Sequence, residues 1–147
     1  MRKVKLLGIS GSLRAQSINT ALLEAMQIIA PDQIEWRLAH GIGDLPHFNS
    51  DLEPATPATV TAWRNQIGWA DALIISSPEY AHGTPGSLKN ALDWLVSGHE
   101  FTGKPVAILG IAGRGLHARA SLNRSRDHDG RARESRTSRQ ASRYEQP

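Results

Sequence analysis

A doubly wound α/β domain with a parallel sheet is the fold class this sequence predicts. Three observations lead there. Short apolar runs of strand length alternate with stretches of helical periodicity. The run Ala72 to Ser76 is near-continuously apolar, as a strand covered on both faces should be. The turns after the first and third runs are rich in Gly, Ser and Pro, the composition of loops between strands and helices.

Val4 to Ile9 follows a basic start, is bounded by Gly11 and reads as a buried strand. Ala21, Leu22, Ala25, Met26 and Ile29 then repeat at helical spacing, and Pro31-Asp32 stops that helix. Ile34 to Leu38 alternates apolar and polar, as a second strand would. Residues 40–58 hold Gly, Pro, Asp and Thr and read as a long loop, a length uncommon unless functional or packed on itself. Thr56-Pro57 offers a capping hydroxyl and a first-turn proline. Val60, Trp63 and Ile67 then line one face of a second helix. After the third strand, Leu88, Ala91, Leu92 and Leu95 form the stripe of a third helix. Gly103-Lys-Pro leads into Val106 to Leu109, the fourth strand. Right-handed crossovers place the strand-to-helix turns at one sheet edge, where such folds bind ligands.

With 147 residues the chain suits one domain, and 39% apolar content allows a core. There is no cysteine, which excludes disulfides, thiolate metal sites and cysteine nucleophiles. The N-terminus lacks the apolar run and cleavage site of a secretory signal. No stretch approaches the roughly 20 apolar residues of a membrane span. A cytoplasmic protein without a membrane partner is therefore expected. The net charge of +3 lies entirely in residues 121–147, which carry seven Arg and four acids. Residues 1–120 carry ten Lys/Arg and ten Asp/Glu, so the body has no electrostatic footprint for nucleic acid.

Two segments carry chemistry. The first is Gly11-Ser-Leu-Arg-Ala-Gln-Ser-Ile-Asn19, between the first strand and helix. A phosphate needs N–H donors at a helix start, hydroxyls and a positive charge. Ser12 and Ser17 supply hydroxyls, Arg14 a guanidinium and Asn19 an amide. An ordinary capped turn is the alternative. Neither the P-loop nor the dinucleotide glycine pattern is present. The second segment runs from Ser77 to Trp94. Pro78, Gly83, Pro85 and Gly86 make a stiff loop that a flat ring can approach closely, with Tyr80 and His82 able to flank it. Lys89, Asn90, Asp93 and Trp94 sit in the helix beyond and read as structural, with Asn90 able to brace the loop. The six histidines show no metal-ligand spacing, and His40, His47, His99 and His117 read as loop or surface residues.

The pair G-S-L-R-x-x-S-x-N and P-E-Y-x-x-x-x-P-G-x-L-K-N-A-x-D-W resembles the signature of the NADPH-dependent FMN reductase family, over about residues 4 to 122. That family includes flavin, quinone, azo and chromate reductases. The resemblance implies a flavodoxin-like fold and the cofactors FMN and NADPH. It implies that Ser12, Arg14, Ser17, Ile18 and Asn19 surround the FMN phosphate. Pro78, Glu79, Tyr80, Ala81, His82 and Gly83 would cradle the ring. Many members carry Asn where this chain has Ala81, so a side-chain contact is expected to be missing there. A third flavin loop corresponds to Ile111–Gly115, shorter than the family's. The implied reaction passes a hydride from NADPH to FMN and on to a quinone, flavin or similar acceptor. It needs no side-chain nucleophile, so no catalytic residue is expected. A homodimer or tetramer is implied as well.

Asn123 to Pro147 contains no Val, Ile, Leu, Met, Phe or Trp. Such a segment cannot bury enough surface to offset its ordering entropy, so a disordered basic tail is expected after a domain ending near Leu122. Relatives usually continue through a further strand and helix. The tail's composition resembles a shifted reading frame of a GC-rich gene, and the expectation is a frameshift near residues 122–124. The alternative is a genuine basic tail with weak affinity for nucleic-acid phosphates. Loss of that further strand and helix would leave the fourth strand an exposed edge. Three functional classes stay open: a reductase, a flavodoxin-type electron carrier, and a truncated product without activity.

Overall fold

A computed structural model describes residues 2–110. The expected Ile111–Gly115 loop, His117 and the tail lie outside the described residues. β1 (Val4–Ser10), β2 (Ile34–Leu38), β3 (Ala72–Ser76) and β4 (Val106–Leu109) form one sheet in the order β2-β1-β3-β4. All pairings are parallel. The helices are α1 (Ile18–Ile28), α2 (Ala58–Trp69) and α3 (Gly86–Asp93). This is the expected doubly wound arrangement. Among the described residues β4 is one edge of the sheet, and no helix is long and apolar enough to cross a membrane.

Strand alternation sorts the side chains into two layers. Leu7 and Ile9 of β1 and Leu73 and Ile75 of β3 point to one face. There they join Val60, Trp63 and Ile67 of α2 and Leu88 and Ala91 of α3 in the main core. Trp63 and Trp94 are among its largest fully buried side chains. Each such side chain contributes roughly 1.5–3 kcal/mol by leaving water. Trp63 also ties the two helices, since its Nε1 donates to the Ala91 carbonyl at 2.8 Å. α1 covers the other face. A Cβ on Gly8 would meet Leu38, Trp36 and Leu23, so α1 descends onto the sheet where β1 lacks a side chain.

The stripe expected to bury α1 is turned outward. Ala21 and Ala25 are exposed and Ile29 is 79% exposed, while Leu22 and Met26 are half-buried. Asn19 and Leu23 face the sheet instead. The reason is that α1 is apolar on most of its circumference, so periodicity leaves its rotation undetermined. Two tertiary contacts set it: Leu23 over Gly8, and a hydrogen bond from Ser76 Oγ to Asn19 Oδ1 at 2.9 Å.

The stretch 40–58 contains two 3₁₀ turns, Ile42–Asp44 and Ser50–Ala55, so it is packed on the body rather than structureless. Ile42 and Leu45 enter the core. α2 starts at Ala58 without the expected hydroxyl cap, because Thr56 Oγ1 donates to the Glu53 carbonyl. Arg64 binds Glu53 at 2.9 Å and the Trp94 carbonyl at 2.8 Å. Its guanidinium, helped by the Ser97 hydroxyl, holds the Glu53 carboxyl below the usual range.

Candidate functional site

Winding reverses between β1 and β3, because β2 lies on one side of β1 and β3 on the other. Ser10 and Ser76, the last residues of those strands, are register partners. Ligands of open α/β sheets bind beyond such a reversal, at the carboxyl ends of the strands. Both chemistry-bearing segments begin there.

The first turn is held from within. Gly11 N donates to the Ser76 carbonyl at 2.8 Å, tying the turn to β3. Glycine is required there by close approach. A Cβ would collide with Ser77 Oγ and lie 2.8 Å from Ser77 Cβ and 2.9 Å from Leu88 Cδ2. Ser12 N donates to Ser10 Oγ at 3.3 Å, and Arg14 N donates to Ser12 Oγ at 3.3 Å. Ser17 is the N-cap of α1, and its Oγ accepts from Thr20 N at 3.3 Å. By helix geometry the N–H groups of Ile18 and Asn19 have no carbonyl one turn back. They sit beside the Ser17 hydroxyl at the positive end of the helix dipole. The Arg14 side chain is exposed and has no carboxylate partner among the described residues. This is a donor set for a phosphate.

Asn19 does something its sequence position did not reveal. Its side chain is buried and accepts the Ser76 hydroxyl, so it is a tie between α1 and β3. Thr20 and Ser10 form a second tie, Oγ1 to Oγ at 2.8 Å. The visible signal was polar residues ending apolar strand runs.

The second segment is a tight two-residue hairpin turn. Tyr80 and Gly83 exchange both backbone hydrogen bonds, at 3.1 and 2.9 Å. Ala81 and His82 between them are left-handed, with φ of 48° and 59°. That pair of angles marks a type I′ turn, which normally draws Asn or Gly. Among the described residues these are the non-glycine positions with positive φ. The neighbouring glycines, Gly83 and Gly86, have ordinary φ, and a Cβ on Gly86 would meet nothing within 4 Å. The positive φ angles thus fall on side-chain-bearing residues at the tip of the turn. Tyr80 and His82 are exposed, and Pro78 and Glu79 are half-buried below them. Glu79 Oε1 lies 3.4 Å from His82 Nδ1. The loop thus presents two exposed ring side chains, Tyr80 and His82.

α3 continues from this loop, and its Asn90 and Trp94 brace a neighbour that sequence reasoning left unconnected. Asn90 Oδ1 accepts from Phe48 N at 2.8 Å, and its Nδ2 donates to the Pro46 carbonyl at 2.9 Å. Trp94 Nε1 donates to the same carbonyl at 2.8 Å. Phe48 meets the Trp94 ring edge-on at 5.1 Å between centroids. Lys89 pairs with Asp93 along the helix. The bracing role read for Asn90 is thus present, directed at the 45–48 segment. Leu13 of the first turn rests on Gly43 of that same loop. Among the described residues no cluster of three His, Cys, Asp or Glu is placed to hold a metal ion. His40, His47 and His99 are exposed, as expected.

The sequence profile of the NADPH-dependent FMN reductases matches residues 4–132. The chain belongs to the NADPH-dependent FMN reductase family. An NAD(P)H-dependent FMN reductase of Pseudomonas aeruginosa is 45% identical over 124 residues, 82% of this chain and 66% of that protein. A quinone reductase of Escherichia coli K12 is 39% identical over 110 residues, 72% of this chain and 58% of that protein. The chain thus spans less than two thirds of E. coli quinone reductase's length, and about two thirds of the other's. Among solved structures, the flavoenzyme NAD(P)H:(acceptor) oxidoreductase FerB of Paracoccus denitrificans is similar. Its TM-score is 0.79 at 34% identity, covering 90% of this chain and 76% of that one.

Proposed function

We propose that this protein is an FMN-dependent NAD(P)H oxidoreductase whose acceptor is a quinone, a flavin or a similar small molecule. The observation that carries this is the joining of the two turns at the sheet's reversal point, by the Gly11 to Ser76 and Ser76 to Asn19 hydrogen bonds. It supports a reading in which the first turn and the loop after β3 serve one ligand. Family membership and the relatives' names support the same chemistry.

In this reading Ser12, Arg14, Ser17 and the N–H groups of Ile18 and Asn19 take the FMN phosphate. Charge-assisted bonds from a guanidinium and helix N–H groups suit a dianion. Pro78, Glu79, Tyr80, Ala81, His82 and Gly83 hold the ring, Ala81 through its backbone. Bound FMN supplies hydride acceptance from NADPH and hydride donation to the second substrate. The protein positions two flat molecules in turn, an orientation effect that needs no side-chain nucleophile. A cytoplasmic setting and a second copy of the chain as partner belong to the same reading.

The test is the visible spectrum of purified protein after FMN is added and excess removed. A retained flavin band that bleaches with NADPH is the expected result. A retained band that NADPH leaves unbleached would favour an electron carrier. No retained band would show that this chain does not hold the cofactor.

A further inference from the structure

A phosphate donor set works best when its charged member is held in place before the ligand arrives. In the first turn that member is Arg14, within the exposed stretch 13–16 between buried Gly11 and Ser17. Its backbone N–H is tied at 3.3 Å to Ser12 Oγ, a bond internal to the turn. We propose that Leu13, seated on the 42–48 loop, is a positioning residue for Arg14. It fixes the backbone from which the guanidinium extends, and so makes the site select a phosphorylated flavin over an unphosphorylated one. The proposal rests on the flavin-site reading above.

Leu13 is a large apolar side chain, 61% exposed, in a turn otherwise made of small and polar residues. Core packing does not account for it, but its neighbour does. A Cβ on Gly43 would lie 3.2 Å from Leu13 Cδ2, 3.3 Å from Cδ1 and 3.8 Å from Cγ, so the leucine branch rests over bare glycine backbone. A side chain at Gly43 would occupy that seat.

The seat is firm on both sides. Ile42 and Leu45, which flank Gly43, are buried in the core. Further along, Asn90 Nδ2 and Trp94 Nε1 both donate to the Pro46 carbonyl, at 2.9 and 2.8 Å. Asn90 Oδ1 accepts from Phe48 N at 2.8 Å. Leu13 thus ties the exposed part of the phosphate turn to a loop anchored in the core and on α3. An arginine side chain is rich in rotamers, and holding the chain at its root reduces what must be ordered when a phosphate binds.

The test measures the affinity of the full chain, freed of flavin, for FMN and for riboflavin, by quenching of flavin fluorescence. The two ligands differ by the phosphate alone. In Leu13→Ala, FMN affinity should fall about ten-fold, the scale of one weakened charge-assisted bond, while riboflavin affinity changes less than about two-fold. Leu13→Met keeps an apolar side chain of similar size and should retain the wild-type ratio of the two affinities. Gly43→Ala starts from an ordinary φ and presses on Leu13, so it should lower the same ratio by a smaller factor. In an Arg14→Gln background Leu13→Ala should leave the ratio unchanged, since Leu13 acts through Arg14. An equal fall for both flavins, an undiminished ratio in Leu13→Ala, or a full further loss in the Arg14→Gln background overturns the proposal. A wild-type chain that binds neither flavin, or both alike, defeats the flavin-site reading itself.

Discussion

The two turns that meet at the sheet's reversal point are built on opposite plans. The first, Gly11 to Ser17, is bound into the body by hydrogen bonds to Ser76 and Ser10 and by the Ser17 cap. Its glycine is buried under Ser77 and Leu88. The second, Tyr80 to Gly83, is closed by two backbone hydrogen bonds between its ends, exposed at Tyr80, Ala81 and His82, and left-handed at two residues that are not glycine. A phosphate is a small, fixed charge, so donors held rigidly in place suit it. In the proposed reading, a flat ring shared with two successive partners would be served by an exposed loop. Strain of this kind collects at ligand sites because the surrounding fold can sustain it.

Four perturbations break or sharpen that contrast. The largest effect is expected from Gly11→Ala, which forces a methyl into Ser77 and Leu88. Overpacking should cost about 3 kcal/mol, the upper part of its usual range, seen as a lowered urea midpoint, with loss of FMN retention. If the midpoint stays put, the first turn is not the rigid one. Next comes Ser76→Ala. It strips the buried Asn19 oxygen of its donor and should cost about 2 kcal/mol by the same measurement. A neutral result would mean that α1 is oriented by Leu23 alone.

Ala81→Gly works in the other direction. Relief of the left-handed strain exceeds the added chain entropy of glycine, so stability should rise by about 0.5–1 kcal/mol. FMN affinity is expected to fall, because the loop loses its fixed shape. A destabilised Ala81→Gly protein would show that the turn is unstrained. The smallest effect is remote from both turns. Asp71 accepts the Lys5 N–H and faces Arg2 and Lys104, which holds its carboxyl below the usual range. A depressed carboxyl stabilises the fold above the unfolded-state pKa of about 4, and that contribution disappears as pH falls through the lower folded value. Asp71→Asn should therefore flatten the acid limb of the stability curve and leave neutral-pH FMN binding alone. Acid melts of the two proteins that superimpose would remove Asp71 from the account.

Much of this was legible in the chain. The spans of β2, β3 and β4 follow from short apolar runs between turn residues. The faces Val60-Trp63-Ile67 and Leu88-Ala91-Leu95 follow from helical spacing with little apolar residue elsewhere on those helices. α1 failed the same test because Ile18, Ala21, Leu22, Leu23, Ala25, Met26, Ile28 and Ile29 spread over most of its circumference and leave only a narrow polar strip, Thr20, Glu24 and Gln27. The site was legible as two motifs. Their internal division of labour was not, since the sequence does not show that the Asn19 side chain accepts the Ser76 hydroxyl. The Asn90 and Trp94 brace was half visible: the residues read as structural, but the segment they hold lies more than 40 positions away.

The sequence by itself determined the strands, the order of elements, the family and the two turns, because each depends on neighbours within a few residues. Only the tertiary structure decided which way α1 faces, why Gly11 must be glycine, and that strain sits at Ala81 and His82 rather than at Gly83 or Gly86. Those outcomes depend on contacts between residues distant in the chain and on a backbone closure that composition does not encode. Local preference is worth tenths of a kcal/mol per residue, whereas a buried clash or an unsatisfied polar group is worth about 1–3 kcal/mol, so the distant contacts prevail.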